Sequence, residues 1–119
     1  MLSLPIVTPR LRIRPFVPGD ERPMMDVYGD ADVMRYIPGG PLPDEDAVRR
    51  IMDEQLLAQT ARGYAYYAVE LIAGGEVVGD AGFGLLEETG DVELGYTFAR
   101  RAWGRGYATE AAAACLAAG

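Results

Sequence analysis

The segment Arg100–Ala114, RRAWGRGYATEAAAA, places two glycines one residue apart directly before an alanine-rich run. Glycine lets the backbone approach a ligand closely and adopt positive φ. Alanine is the strongest helix former, so a helix is expected to begin near Tyr107. The first N–H groups of a helix are unpaired and partly positive, which suits a phosphate or pyrophosphate. The pattern therefore allows an anion cradle at Gly104–Gly106, although two glycines at a turn occur at least as often for packing reasons.

The residue types present restrict any other chemistry. The chain has no histidine and no lysine, one cysteine (Cys115) and one serine (Ser3). A metal site of imidazoles and thiolates, a Ser-His-Asp or Cys-His arrangement, a lysine Schiff base and an intrachain disulfide are therefore excluded, and no metal is expected. A P-loop requires a lysine, and threonine stands at position 109, where a dinucleotide fingerprint requires glycine. Carboxylates, tyrosines, arginines and backbone groups remain to act.

Composition predicts one domain over residues 1–119, because 119 residues of which 50% are hydrophobic can form one core but not two. No apolar run reaches the length of a membrane span, and the amino-terminal ten residues lack the pattern of a signal peptide. A cytoplasmic protein without a membrane partner is expected. The net charge of −7 argues against a nucleic-acid partner and favours, weakly, a cationic one.

The chemistry must be positioned by elements upstream, of which the first is a predicted strand. LRIRPF, residues Leu11–Phe16, alternates apolar and basic residues in the manner of a half-buried strand. Pro15 cannot donate to a strand ladder, which predicts an edge strand or the end of a strand. Three alternating arginines are expected to form a solvated face rather than an anion site: Arg10, Arg12 and Arg14.

Two helices are predicted next, joined by the loop IPGGPLP. The first is expected to have Asp20 as its N-cap and to stop at Gly29. The second is expected to run over Asp44–Arg62, with acidic residues in its first turn, and to end at Gly63. The residues expected to form the apolar faces of these helices are Met24, Val27, Tyr28, Val48, Ile51, Met52 and Leu56.

The pattern then changes to that of a β-meander. Strands are predicted at Tyr64–Ile72, Glu76–Leu86 and Val92–Phe98, separated by the turns AGGE and EETGD. In the third strand the apolar residues at 92, 94, 96 and 98 share one face, and Glu93, with the residues at 95 and 97, shares the other. The order strand, helix, helix, three strands, loop, helix predicts an α/β (α+β) fold with a central antiparallel meander flanked by helices.

The combination of segments resembles the GNAT superfamily of N-acetyltransferases. TPRLRIRPF, EVVGDAGF, VELGYTF and the loop Arg101–Gly106 followed by YATEA occur in that family's order. The loop matches the family's acyl-CoA motif, Q/R-x-x-G-x-G/A. Within the family, the chain looks most like the branch that contains the acetyltransferases of N-terminal amines of ribosomal proteins, along with many relatives that act on other amines. The resemblance implies a GNAT-like mixed sheet and acetyl transfer from acetyl-CoA, as co-substrate, to a primary amine of a protein N-terminus or a small molecule.

The resemblance also implies where acetyl-CoA binds. Its pantetheine arm is expected to pair with the strand backbone at Tyr96–Phe98, and its pyrophosphate to meet the loop N–H groups of Arg101–Gly106. Trp103 is an expected contact, with a packing aromatic as the alternative. The residues expected to bind the cofactor are Tyr96, Thr97, Phe98, Arg101, Trp103, Gly104, Arg105, Gly106, Ala108 and Thr109.

The same resemblance implies which residues act on the acceptor amine and which bind it. Glu93 in VELGY matches the glutamate that takes the amine proton in many members, and a solvated strand residue is the alternative. A strand N–H would polarise the acetyl carbonyl. The loop Tyr36–Pro41 is expected to border the acceptor pocket, with an ordinary connector as the alternative. The residues expected to bind the acceptor are Tyr36, Ile37, Pro38 and Gly39.

The chain departs from the family pattern after the predicted last helix. The family continues with further strands and a tyrosine that protonates the leaving thiolate, and no residue here takes that role. We therefore expect a carboxy-terminally truncated domain that is nearly inactive alone and either associates as a homo-oligomer through its free strand edge or is marginally stable. The alternatives to an enzyme are an acyl-CoA-binding module without turnover and an α/β interaction domain whose glycines serve packing.

Overall fold

The computed structural model describes residues 3–86 and 88–118. Within these residues one antiparallel sheet has its strands in the order β1-β2-β3-β4-β5, with three α-helices and one 3-10 turn. The strands are β1 (Ile6–Val7), β2 (Leu11–Arg14), β3 (Tyr66–Leu71), β4 (Val77–Leu85) and β5 (Val92–Phe98). The helices are α1 (Glu21–Tyr28), α2 (Glu45–Arg62) and α3 (Tyr107–Ala118), and the 3-10 turn is Arg100–Ala102. The predicted fold class is confirmed, and the predicted elements occur in the predicted order, with β1 and the 3-10 turn in addition.

The amino-terminal strand ends at the predicted proline but does not form the edge of the sheet. β2 stops at Arg14, directly before Pro15, and lies between β3 and the two-residue strand β1. The sequence did not predict β1. Of the two alternatives for Pro15, the strand end is therefore the one found.

The meander forms as predicted, and its strands pair over most of their length. β3 and β4 are joined by a tight turn in which Gly74 and Gly75 adopt φ of 89° and 73°, angles that favour glycine. β4 and β5 pair from Gly79 opposite Phe98 to Leu85 opposite Val92. β5 forms one edge of the sheet.

Two buried clusters cover the two faces of the sheet. On one face Phe98 and the partly buried Leu94 pack with Ala111 and Cys115 of α3. On the other face residues of α1 and α2, including Val27 and Val48, pack against the sheet. Because β5 residues alternate, Glu93, Gly95 and Thr97 face the α1/α2 side.

The first helix starts where it was predicted, but its cap differs. Asp20 occupies the N-cap position of α1 without capping it. Its carboxylate instead accepts hydrogen bonds from Arg14 Nη1 and from the backbone N–H of Val17, both at 2.8 Å. Arg14 also donates to Glu70 at 2.8 Å, so this arginine is paired and largely buried rather than part of a solvated face. The ion pairs outcompete the cap because they satisfy both charges at once.

The second helix has the predicted bounds, and one of its expected core residues is wrong. Asp44 accepts a hydrogen bond from the Ala47 N–H, and Gly63 ends the helix with φ of 82°. Val48 and Met52 are buried and Ile51 is partly so, whereas Leu56 is exposed. The inward face continues through Gln55 and Gln59, which accept hydrogen bonds from the Tyr66 N–H and the Tyr67 hydroxyl of β3. Because successive side chains of an α-helix are rotated by about 100°, the orientation that directs Gln55 and Gln59 toward the sheet directs Leu56 toward solvent.

Candidate active site

The glycine loop presents a run of free backbone donors. Gly104 and Gly106 adopt φ of 76° and 81°, where residues with side chains are strained. Among the described residues, the six N–H groups from Gly104 to Thr109 have no hydrogen-bond partner, and the first bonded one is Glu110, which donates to the Gly106 carbonyl. These donors surround the positive end of α3, which gives the loop the chemistry of an anion site.

The amino-terminal segment fixes this loop in place. The Glu110 carboxylate accepts hydrogen bonds from the Thr8 hydroxyl and from the Arg10 backbone, and it pairs with Arg10 Nε at 2.7 Å. Arg10 also donates to the Arg105 carbonyl at 2.8 Å and lies 4.6 Å over the ring of Tyr107. The hydrogen bond from Thr8, followed by those from Arg10, lowers the pKa of Glu110. Arg10 therefore braces the loop instead of forming a solvated face.

Sequence reasoning missed the role of Glu110. The residue lies in the first turn of α3, where an acidic side chain is ordinarily explained by the helix dipole. Its partners lie 100 and 102 positions earlier in the chain, so no local pattern signals the contact. Only the antiparallel sheet, which brings the amino-terminal segment beside α3, creates the contact.

A cavity of about 450 Å³, here called the loop cavity, lies between the end of β5, the glycine loop and the start of α3. Val33 and Ile37 close its far side. Eight of the ten residues that the sequence indicated for the cofactor line it: Tyr96, Thr97, Phe98, Trp103, Gly104, Gly106, Ala108 and Thr109. The Trp103 indole donates to the Phe98 carbonyl at 2.8 Å, which ties the loop to the strand.

The two arginines of the predicted cofactor set do not line the loop cavity. The Arg101 guanidinium pairs with Glu76 at 2.7 Å and with Asp26 at 3.1 Å, so its charge is directed toward α1 and the β3–β4 turn. Arg105 is exposed and donates to the Arg101 carbonyl at 3.3 Å. Their side chains therefore lie outside the loop cavity.

A second cavity of about 460 Å³, here called the acidic cavity, lies between the sheet, α1, α2 and the segment that joins the two helices. Glu93 lines it together with three of the four residues expected to bind the acceptor, Ile37, Pro38 and Gly39. The fourth, Tyr36, is 88% exposed and lines neither cavity. The segment between α1 and α2 thus borders the cavity that contains Glu93.

The acidic cavity contains a second carboxylate that the sequence did not indicate. Asp80 of β4 is 5% exposed and stands opposite Thr97 of β5. The Tyr28 hydroxyl donates a hydrogen bond to its Oδ2, and its Oδ1 has no partner in hydrogen-bonding geometry among the described residues. Burial raises the pKa of Asp80 to about 6, against the opposing effect of Tyr28 and Thr97. In the sequence this residue is an ordinary polar position of a glycine-rich strand.

Two glycines make room for a tyrosine beside these carboxylates. A Cβ on Gly84 or on Gly95 would lie 2.6 or 2.8 Å from the Tyr66 hydroxyl. The ring of Tyr66 therefore lies directly over the backbones of β4 and β5. Burial, followed by the charges of Asp80 and Glu93, raises the pKa of Tyr66. The glycines at 84 and 95 were the sequence signal for this close approach.

The two cavities adjoin. Both are lined by Ile37, Tyr96 and Thr97, so they meet beside the end of β5. A ligand held at the free N–H groups on one side and a ligand held near the carboxylates on the other would meet at Tyr96 and Thr97. Such an arrangement suits the transfer of a group between two bound molecules.

Comparison with known families identifies the fold. The model of the acetyltransferase (GNAT) domain matches residues 10–119. The chain belongs to the GNAT family of acetyltransferases. The resemblance stated from the motifs is thereby confirmed at the level of the family and the fold.

Individual relatives agree with this GNAT assignment. The chain is 35% identical over 114 residues to the uncharacterized protein YkkB of Bacillus subtilis, covering 93% of this chain and 65% of YkkB. It is 30% identical to the uncharacterized N-acetyltransferase p20 of Bacillus licheniformis, covering 89% of this chain and 60% of p20. An acetyltransferase (GNAT family) structure from Bacillus anthracis superposes with a TM-score of 0.80 at 31% identity, covering 95% of this chain and 64% of that one.

This GNAT chain spans about two thirds of the length of these relatives. None of the helices within residues 3–86 and 88–118 has the length and hydropathy that a bilayer crossing requires.

Proposed function

We propose that the chain is an N-acetyltransferase domain that moves an acetyl group from acetyl-CoA to a primary amine. The observation that carries the proposal is the pair of adjoining cavities, one beside free backbone donors and one containing carboxylates, which share Tyr96 and Thr97 in their linings. Family membership supports the reaction type.

The loop fits the diphosphate of a coenzyme A thioester. Six free N–H groups and the positive end of α3 supply donors without any basic side chain. A Cβ on Gly104 would meet no atom within 4 Å, so the space in front of this backbone is open. We assign the N–H groups from Gly104 to Thr109 to the diphosphate and the edge of β5 at Tyr96–Phe98 to the pantetheine arm. When bound, acetyl-CoA supplies an activated acetyl thioester.

The residues of the chain then have distinct tasks. The backbone of β5 positions and polarises the acyl carbonyl. Glu93, exposed on the edge strand and lining the acidic cavity, takes the proton that the acceptor amine loses, directly or through water. Ile37, Pro38 and Gly39 form the wall against which the acceptor lies. The acceptor class proposed here, a protein N-terminus or a small primary amine, follows from the resemblance of the motifs to the ribosomal-protein branch.

The proposal is tested by two measurements on the same preparation. Calorimetric titration with acetyl-CoA should give saturable binding to the 119-residue chain, and free coenzyme A should compete. Thiol release is then measured with a panel of a peptide N-terminus, spermidine and an aminoglycoside, in this chain and in any longer natural form. Thiol release with one amine class supports the enzyme. Binding without thiol release in either form identifies a binding module, and no binding in either form overturns both.

A further inference from the structure

The acidic cavity contains one buried, half-satisfied charge that the proposed reaction does not yet use. Asp80 lines the cavity, its Oδ2 is bonded by Tyr28, and its Oδ1 is buried and unpartnered among the described residues. Buried polar atoms are bonded in the large majority of cases, because leaving one unmet costs free energy. Such an exception beside a cavity leaves an acceptor atom available to a ligand.

The groups around Asp80 define the charge of that ligand. The titratable groups that face it are Tyr28 from α1, Tyr66 from β3, and Glu93 and Tyr96 from β5, and α2 contributes the neutral Gln55. None of the described residues that line the cavity is an arginine. The cavity therefore holds two carboxylates and no cation, and the missing positive charge has to come with the ligand.

The walls of the cavity further restrict the class of ligand that can bind. Its walls combine the Tyr66 ring, held against Gly84 and Gly95, with the apolar side chains of Ile37 and Pro38. An alkyl chain that ends in a group with several N–H donors matches a wall of this kind, since the chain contacts apolar surface and the head reaches the carboxylate.

We propose that Asp80 binds the acceptor as a primary ammonium cation, so that the acidic cavity selects compact cationic amines over neutral molecules of the same shape. The inference rests on the proposed acetyl transfer for its biological meaning but not for its test. Asp80 Oδ1 accepts a hydrogen bond from the ammonium and orients the nitrogen beside Thr97, its neighbour across the strands. Glu93 remains the group that takes the proton, so binding and proton removal belong to different carboxylates.

The electrostatics of Asp80 support this division. In the free chain burial holds its pKa at about 6, so near neutral pH the side chain is largely ionised without a counter-charge. A cation within about 4–6 Å lowers a carboxylate pKa by about 1 or more. An ammonium in the cavity therefore shifts the titration of Asp80 downward, a signature that a purely structural aspartate would not show.

The experiment follows the carboxyl carbon of Asp80 by ¹³C NMR as a function of pH in the 119-residue chain. One sample contains sodium chloride, one contains n-butylammonium chloride at the same ionic strength, and one contains 1-butanol as the neutral isostere. We expect the pKa of Asp80 to fall by about 1 with butylammonium and to stay unchanged with butanol. Alanylalanine amide and spermidine are then compared, because the one that shifts the pKa at the lower concentration identifies a peptide N-terminus or a polyamine as the better occupant.

Variants separate this inference from the proposed function. Asp80→Asn should raise KM for the amine about tenfold or more and leave acetyl-CoA binding unchanged, whereas Glu93→Gln should lower kcat and leave the butylammonium shift of Asp80 in place. An Asp80 pKa that does not respond to butylammonium overturns the inference, even where acetyl transfer is observed. Failure of acetyl-CoA to bind overturns the proposed function alone, because the NMR titration does not need the thioester.

Discussion

Replacing Asp80 by asparagine should stabilise the chain at neutral pH, although the residue is buried and hydrogen-bonded. Asparagine keeps the size and an oxygen that accepts the hydrogen bond from Tyr28, and it removes the negative charge. In the folded chain burial raises the pKa of Asp80 from 3.8 to about 6. The ionised carboxylate is therefore tolerated less well in the folded chain than in the unfolded one.

The sign and size of the effect follow from proton linkage. A group whose folded pKa lies above its unfolded pKa contributes stability that is fully present below the unfolded value and is lost as the pH rises through the folded value. For Asp80 this window runs from about pH 4 to about pH 6. At 1.36 kcal/mol for each unit of pKa, a rise from 3.8 to about 6 corresponds to a loss of about 3 kcal/mol.

The assay is urea unfolding of the wild type and Asp80→Asn at intervals from pH 4 to pH 8. Because pH 4 already lies just above the unfolded pKa, the free energy of unfolding of the variant, relative to the wild type, should grow by about 2.5 kcal/mol between pH 4 and pH 7.5, or about 10 °C in Tm. Asp53→Asn makes the same chemical change at an exposed position of α2 and controls for the loss of one negative charge. A stability difference that is flat across this range would refute the burial and charge state assigned to Asp80.

Three further changes test the rest of the site. Glu110→Gln removes the charge that ties the amino-terminal segment to the glycine loop, and it should cost about 1–2 kcal/mol of stability in urea unfolding and weaken acetyl-CoA binding by calorimetry, so an unchanged affinity would argue against the brace. Arg14→Met leaves the buried carboxylate of Asp20 without its guanidinium partner and should cost about 2–3 kcal/mol in the same unfolding assay, with a loss below 0.5 kcal/mol counting against the pairing. Glu93→Gln should lower kcat about a hundredfold with little change in KM for acetyl-CoA, and an unaltered kcat in steady-state kinetics would remove Glu93 from the reaction.

Local patterns predicted the elements well, because residues that start or stop a helix or a turn lie next to the element they delimit. The bounds of α2 follow from Asp44 and Gly63, which lie at the two ends of one helix and act within a single turn. The motif Arg101–Gly106 likewise located the loop cavity, since the loop and the start of α3 are contiguous in sequence. The interactions that decide these features join residues close in sequence, so the sequence alone predicts them.

The features that the sequence did not reveal depend on contacts across the sheet. Glu110 meets the amino-terminal segment only because β1 and β2 are brought beside α3. Asp80 accepts a hydrogen bond from Tyr28, which is 52 positions away. Its raised pKa comes from burial that no alternation pattern predicts for a glycine-rich strand. Asp20 reads as an N-cap in one dimension, yet its carboxylate turns to Arg14 of the neighbouring strand. In each case a contact between different elements, or burial in the folded chain, sets the role of the carboxylate.

The central claim is that the free N–H groups of the glycine loop hold acetyl-CoA, and one calorimetric comparison tests it most directly. Gly104→Val fills the open space before the loop and strains a φ of 76°, while Gly74→Val introduces the same residue at a φ of 89° in the β3–β4 turn, where Gly74 lines neither cavity. Both variants should lose similar stability, about 1–3 kcal/mol, and remain folded. We predict that acetyl-CoA binding is abolished in Gly104→Val and retained in Gly74→Val. Equal affinity of both variants and the wild type would contradict the assignment of the loop.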